Sequence, residues 1–478
     1  MLLALILLPL AAAAVVWSVP SARLRYALLP VTAILHLALV LAAFALKGLH
    51  PAAGDLLGFD ALGAWIQLVI SVLGVILAWY APAFLSLPPE RNHRLFSTCF
   101  LAFLGLAPIV TLGRHPGLVW VGIEATTLIA APLVYFSRNQ RSLEAAWKFL
   151  VIGSVGVALA FLGTLFIAYG AFLGGLGEPL TYTKLVDGAA LLSRPWLRGG
   201  FVLVLVGYGT KMGLAPMHTW KPDAYGESPG LVGALLASGV TSCAYLALLR
   251  LYAVVCAAGE GAFARDLLVA FGLLSMAWAV AFMLRQNDFK RLLAYSSVEH
   301  MGILAFGVGL GGDGVRWALF HAAANMLVKT TLFLGSGNLQ RAYGSKLVPS
   351  VSGALRRLPL TAWLFLVAFL AITGLPPFAT FASEFGILQA ALASGRPWLA
   401  GLYLLMLGAI FVGFSSTVVE MLQGTPNPRR VRTPYRDTRG LTLPLAAALG
   451  LALVLGLHVP AALGRLWTDA ARIVEGGR

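Results

Sequence analysis

The chain is short of charge: only 11% of its 478 residues are Asp, Glu, Lys or Arg, against 59% apolar. Soluble domains carry about a quarter charged residues, so the deficit excludes an ordinary soluble fold. No stretch is long and polar enough to stand as a separate soluble domain. Cysteine is scarce too. Cys99, Cys243 and Cys256 lie in apolar segments without C-x-x-C spacing, which leaves out a disulfide framework, an iron–sulfur site and structural zinc. No G-x-G-x-x-G or P-loop match stands in a strand-to-helix context, so nothing points to a nucleotide site. Acidic residues are also few, 19 against 34 basic ones, giving a net charge of +15. In a soluble protein that excess would suggest nucleic acid. In a membrane protein it reflects basic loops gathered on one side of the bilayer, and no nucleic-acid partner is expected.

What the chain has in abundance is long apolar runs. A spanning helix needs about 20 largely apolar residues, and fourteen segments qualify. They lie near 2–19, 26–46, 61–88, 95–113, 116–136, 145–173, 199–220, 229–257, 264–284, 290–311, 315–340, 358–392, 397–423 and 441–464. The opening MLLALILLPLAAAAVVWSVPSA lacks the basic n-region of a signal peptide and reads as the first membrane helix. The fold class is therefore an all-α integral membrane protein of about 14 transmembrane helices. Basic residues concentrate after odd-numbered spans, as with Arg91 and Arg94, Arg138 and Arg141, Lys221, Lys290 and Arg291, and the run Arg429, Arg430, Arg432. Loops after even-numbered spans are poorer, with Lys47, Arg114 and Arg316 among their few. This parity puts the odd loops in the cytoplasm and both termini outside.

Two spans look interrupted. One is GYGTKMGLAPMHTWKPDAYGESPG, 207–230, broken at Gly213 and Pro216; the other is ITGLPPFATFASEFGILQ, 372–389, broken at Gly374, Pro376 and Pro377. A proline inside a helix removes a donor and clashes with the carbonyl four residues back. Backbone freed in this way survives at membrane depth only inside protein or beside water. Breaks at matching places in two halves point to a transport site between inverted repeats. These fall in the seventh and twelfth spans, which predicts two inverted five-helix repeats, 94–258 and 262–424. Residues 1–93 then hold helices one to three, and 425–478 a basic cytoplasmic loop plus the last helix.

Ionisable groups inside spans cost at least about 2.5–3.5 kcal/mol each on insertion scales, so each asks for a reason. Glu124, Lys211, Glu299, His300, His321, Lys329 and Glu384 all stand in such positions. His321, Asn325 and Lys329 are spaced by four, which puts them on one helix face, stacked over roughly 12 Å. Imidazole exchanges protons near neutrality, and burial sets whether an amine holds its own. Glu124 is the acid well inside a span of the N-terminal half, and so the candidate partner of Lys211. Its approach or retreat would make the lysine hold or release a proton. Structural readings compete: a Glu124–Lys211 staple between helices, snorkelling for Lys47 and Lys329, a hydrogen-bond anchor at the break for Glu299. His36 and His458 read as bonded core residues without a transport role.

At these residues the chain resembles the antiporter-like subunits of respiratory complex I and of multisubunit cation/proton antiporters. GYGTKMGLAPMHTWKPDA, KRLLAYSSVEHMGI, HAAANMLVKTTLFLGSGNL and GLPPFATFASEF are most similar to the component F type of membrane-bound hydrogenase 4 and formate hydrogenlyase complexes. The resemblance implies that Glu124 is the fifth-helix glutamate and Lys211 the seventh-helix lysine. His300, His321 and Lys329 would belong to the central polar axis, and Glu384 would be the twelfth-helix terminal group. It also implies partners: other membrane subunits, attached cytoplasmic redox subunits, and lipid, in a bacterial or archaeal cytoplasmic membrane. No cofactor of its own and no metal is expected; haem on His300 and His321 is set aside because each fits the axis.

The chain departs from the family pattern in the eighth span, where ALLASGVTSCAYLALLR offers Thr241, Ser242 and Cys243 in place of a lysine or histidine. HTWKPDAY replaces the more usual HTWLPDAH, and Asn325 stands where many relatives have a second histidine. The tail after residue 464 is short, so the long lateral helix of one branch is not expected. The predicted route loads Lys211 from the cytoplasm and passes through water and Ser242-type hydroxyls. It continues to His300 and the 321–325–329 wall, and Glu384 releases the proton outward. His218 serves as an inlet or supporting residue. The alternative is a subunit of a Na+/H+ antiporter without redox chemistry.

Overall fold

A computed structural model describes residues 1–45, 56–86, 93–177, 180–425 and 433–477. Lys47, Arg91, Arg429, Arg430 and Arg432 lie outside the described residues. The helices are α1 (Leu2–Ser18), α2 (Ala22–Ala45), α3 (Ala61–Leu85), α4 (His93–Thr111), α5 (Pro116–Val134), α6 (Gln140–Leu173) and α7 (Tyr182–Asp187). Next come α8 (Arg194–Met212), α9 (Trp220–Glu227), α10 (Gly230–Leu235), α11 (Thr241–Ala257), α12 (Gly261–Met283), α13 (Phe289–Leu310) and α14 (Asp313–Tyr343). The chain ends with α15 (Ala354–Arg357), α16 (Pro359–Ile372), α17 (Ala379–Ala393), α18 (Pro397–Leu422), α19 (Arg439–Leu457) and α20 (Ala461–Val474). A π-helical turn, Leu236–Val240, joins α10 to α11.

Among the described residues, eleven helices are long and apolar enough to cross a membrane. The other three predicted spans fall on the shorter α1, on α8 up to the first break, and on α16 and α17 around the second. The protein is all-α and multi-pass. Its polarity is inside out: Phe172, Trp363 and Leu405 stand exposed, while Lys211, Lys290, His300, His321 and Lys329 are buried. Hydrocarbon tolerates such an exterior, because helices close their own backbone hydrogen bonds.

Local chemistry sets several helix starts. Asp60 caps α3, its Oδ1 accepting from Gly63 N–H at 2.6 Å. Asn139 and Ser142 form a reciprocal capping box on α6, and Asp288 takes the N–H groups of Lys290 and Arg291 at the start of α13. The apolar stretches of α14 and of the α10–α11 segment are wholly enclosed by neighbours, whereas α2 and α18 turn most of theirs outward. The helix carrying His321, Asn325 and Lys329 is thus a central post.

α6 and α8 approach closely through small residues. A Cβ on Gly207 would stand 2.4 Å from the Ala160 nitrogen, and one on Gly156 would stand 2.7 Å from Thr210 Cβ. Without a hydrophobic drive between helices in lipid, such seams depend on close van der Waals contact. This one draws the end of α8, with Lys211, against α6.

The predicted last span, 441–464, ends early. α19 stops at Leu457, and Pro460 precedes a separate helix, α20. Its buried residues Trp467, Ala470, Ala471 and Val474 recur every three to four positions, the period of one helix face. Trp467 lies 5.0 Å from the ring of Trp317 and 4.8 Å from that of Phe320, so the short tail is a docked amphipathic helix.

Candidate functional site

α13 and α14 are joined through the tight turn at Gly311 and Gly312 and run antiparallel. His300 and His321 therefore meet across the interface, Nδ1 of the first to Nε2 of the second at 2.9 Å, with ring centroids 5.1 Å apart. His321 Nδ1 lies 2.8 Å from Ser383 Oγ on α17, and that hydroxyl donates to Thr380 O at 2.8 Å. A hydroxyl has one proton to give. Ser383 must then accept from His321 Nδ1–H, which leaves Nε2 of a neutral His321 to accept from His300 Nδ1–H. The hydrogen-bond network thus assigns both tautomers. It leaves His300 Nε2 as the free lone pair, 3.9 Å from Glu299 Oε2.

One turn along the same interface, Lys329 Nζ donates to Ser296 Oγ at 2.6 Å, and Ser296 donates to Glu299 Oε2 at 3.3 Å. Glu299, His300, His321, Asn325, Lys329 and Glu384 are all buried. The second half therefore holds an ordered series: Lys329, Ser296, Glu299, then His300, His321 and Ser383. His300, His321 and Glu384 place ligand atoms within 4.8 Å of one another. Asn325 sits on the same face, and its Oδ1 has no protein partner among the described residues.

The two breaks are built alike. α8 ends at Gly213, φ +81, and α16 is followed by Gly374, φ +73. Leu214 N–H reaches back to Gly209 O at 2.8 Å and Gly213 N–H to Thr210 O at 3.1 Å; Leu375 N–H reaches Leu370 O and Gly374 N–H reaches Ala371 O, both at 3.1 Å. This is the Schellman pattern, which needs a left-handed residue and so favours glycine. Pro216, Pro376 and Pro377 come two to three residues later and bar the helix from resuming at once.

Lys211 is fully buried at the first break. Its Nζ lies 4.4 Å over the Phe149 ring, and a Cβ on Gly153 would come within 3.0 Å of it. Glu124 is electrostatically coupled to it, but Lys211 Nζ has no hydrogen-bond partner among the described residues. α6 holds both: Gly153 lies beneath the ammonium, and Ser154 donates to Glu124 Oε1 at 2.7 Å. The partnership of Glu124 with Lys211 takes the form of electrostatic coupling without a direct hydrogen bond. His218 is buried, its ring against Trp278 at 5.5 Å and Tyr295 at 6.3 Å. Ser242 is buried on α11, while the neighbouring hydroxyls of Ser238 and Thr241 donate to their own backbone, Ala234 O and Ala237 O.

Residues 117–411, more than half the chain, match the family model described as NADH:quinone oxidoreductase/Mrp antiporter, TM. The chain belongs to this family. The matched region contains every residue of the polar axis from Glu124 to Glu384. A hydrogenase-4 component F homolog of Methylacidiphilum infernorum (isolate V4) is 33% identical over 412 residues, 84% of this chain and 85% of the relative. An NADH-quinone oxidoreductase subunit N of Desulforudis audaxviator (strain MP104C) is 30% identical over 425 residues, 86% of this chain and 82% of the relative. A chain of the Mrp complex from Dietzia sp. DQ12-45-1b has the same fold, with a TM-score of 0.88 at 21% identity over 99% of this chain and 97% of that one.

Within this family fold, sequence reasoning missed four residues. Ser154, Ser296 and Ser383 bond Glu124, Lys329 and His321, yet a serine in an apolar helix carries no insertion cost large enough to attract notice. Ser296 was legible in principle, three and four residues before Glu299 and His300 on one face. The fourth is Lys221, counted among the loop charges. It is a correction: the side chain is 0% exposed, because α9 folds back beneath the first break. Lys290, also placed in a loop, is buried, with Nζ bonded to Ser228 O.

Proposed function

We propose that this chain is the proton-translocating, antiporter-like membrane subunit of a redox-driven complex of the hydrogenase-4, formate hydrogenlyase or NADH-quinone oxidoreductase type. The observation that carries this reading is the oriented His300–His321–Ser383 series beside the Lys329–Ser296–Glu299 series. A proton arriving at His300 Nε2 releases the one on Nδ1 to His321 Nε2, and His321 Nδ1–H passes on towards Ser383 and Glu384. At each hop one bond to hydrogen forms as another breaks, and Ser383 gives up its own hydroxyl proton towards Glu384 as it takes that of His321 Nδ1.

Lys211 loads from the cytoplasmic side, with Glu124 setting its affinity through space, and Glu384 releases outward. Both termini face outside. Polar atoms without protein partners along this path are bridged by water. The partners are other membrane subunits and attached cytoplasmic redox subunits.

The runner-up is a cation/proton antiporter subunit without redox chemistry, and the likeness to the Mrp complex chain favours it on fold alone. The axis is rich in nitrogen donors, whereas hard cations such as Na+ take oxygen ligands, and that supports the proton. The test is to purify the assembled complex, reconstitute it in vesicles, drive its redox reaction and follow the pH of the lumen. Redox-driven proton movement that persists without Na+ and is lost in Lys211→Met is expected. Normal movement in that variant, or transport that requires Na+ and no redox substrate, overturns the reading.

A further inference from the structure

The two breaks share more than their backbone. At the second, a Cβ on Gly374 would stand 2.2 Å from Glu384 Oε2; at the first, a Cβ on Gly213 would stand 2.4 Å from Lys221 Cδ and 2.9 Å from its Nζ. Each left-handed glycine thus cradles one buried ionisable side chain from the helix that follows the break. Lys221 is the first-half counterpart of Glu384. Both are buried, and Lys221 Nζ and Glu384 Oε1 have no protein hydrogen-bond partner among the described residues.

Lys221 also lies on an aromatic wall shared with Lys211. Lys211 Nζ covers Phe149, the Phe149 ring is 5.2 Å from that of Trp220, and Lys221 Nζ lies 6.0 Å over Trp220 and 5.9 Å over Tyr225. Trp220 Nε1 donates to Thr210 O at 2.8 Å, which fixes α9 to the residue before Lys211. On the other side, Lys221 is in electrostatic reach of His218, Lys329 and His300. The remaining charges of α9 clamp it to both halves. Asp223 pairs with Lys148 of α6 and Arg291 of α13, each at 2.7 Å, and Glu227 pairs with Lys346 at 2.7 Å.

We propose that Lys221 is the proton-carrying station that joins Lys211 in the first half to His300 in the second. This rests on the proton-translocating reading above. Bridging water carries a proton from the Lys211 ammonium to the Lys221 amine, and from the Lys221 ammonium to His300 Nε2. One proton moves at each step, and no oxidant or reductant is needed. The alternative is a purely structural lysine filling space under the break.

The test compares Lys221→Leu, Lys221→Gln and Lys221→His in the reconstituted complex, with Lys211→Met alongside. Redox-driven proton translocation in Leu and Gln variants is expected to fall by about a hundredfold, the low end of the range for a lost proton-transfer group. The His variant is expected to recover part of the rate with its pH optimum displaced downward, since imidazole titrates near ~6.5 and an amine near ~10.4. Equal rates in Gln and His, or a wild-type rate in Leu or Gln, overturn the proposal in favour of a structural role. If the Leu variant does not assemble, the contrast between Gln and His decides alone. A silent Lys211→Met beside a normal Lys221→Leu removes only Lys221; if both pump normally, the axis itself is wrong.

Discussion

Lys329 and Lys211 are both fully buried lysines on membrane helices, yet their surroundings differ. Lys329 donates to the Ser296 hydroxyl at 2.6 Å and lies 3.5 Å from Leu293 O. Lys211 rests over an aromatic ring and a glycine, with its nearest coupled acid held off by Ser154. The second half is wired by direct hydrogen bonds; the first is set by electrostatics at a distance. A wired series passes protons whenever one arrives. An isolated amine responds to the charge on Glu124, to which Lys211 is coupled. On the proposed route, control then falls on the loading step in the first half.

The sharpest way to break this contrast is to remove each lysine. Lys211→Met, which removes the proposed loading group itself, is expected to reduce redox-driven proton translocation by about a hundredfold. Lys329→Met leaves Ser296 able to donate to Glu299 and is expected to cost nearer tenfold. Lumen acidification in vesicles reads both, and the reverse ranking would show that control lies in the second half.

The next contrast is between hydroxyls. Ser296→Ala interrupts a bonded series and leaves Lys329 without its main acceptor, so a loss of about tenfold is expected. Ser154→Ala only frees a carboxylate that already acts through space, and a smaller loss than for Ser296→Ala is expected. Matching losses would mean that Glu124 is wired after all.

The smallest effects concern the breaks. Gly213→Ala and Gly374→Ala each place a Cβ in the left-handed region, which costs roughly 1–2 kcal/mol. Both should lower the thermal stability of the detergent-solubilised complex. Gly374→Ala should also depress transport more strongly, because its Cβ meets a carboxylate oxygen where that of Gly213 meets a flexible aliphatic stem. Equal transport in the two would argue against the cradle at Glu384.

Much of the candidate site was legible in the sequence. Insertion cost singled out Glu124, Lys211, His300, His321, Lys329 and Glu384, and spacing by four placed the residues of α14 on one face. The serines were not legible, since a hydroxyl that bonds its own helix and one that bridges two helices look the same in a sequence. Ser238 and Ser296 illustrate this: the first returns to Ala234 O, the second links Lys329 to Glu299. Lys221 was misread for a related reason. It stands just past an apolar run beside Pro222 and Asp223, where a cytoplasmic loop begins in most membrane proteins. Its burial follows from ion pairs that Asp223 and Glu227 make with residues far along the chain.

Hydropathy and the Gly–Pro chemistry of the breaks are properties of contiguous residues, so the sequence by itself determined a membrane protein with two interrupted helices. It also marked most of the ionisable groups that lie within it, with Lys221 and Lys290 among the exceptions. Which nitrogen faces which oxygen was decided only by how the helices pack. A hydrogen bond is made or lost within a few tenths of an ångström, and the partners here are contributed by α13, α14 and α17, with positions fixed by every helix around them.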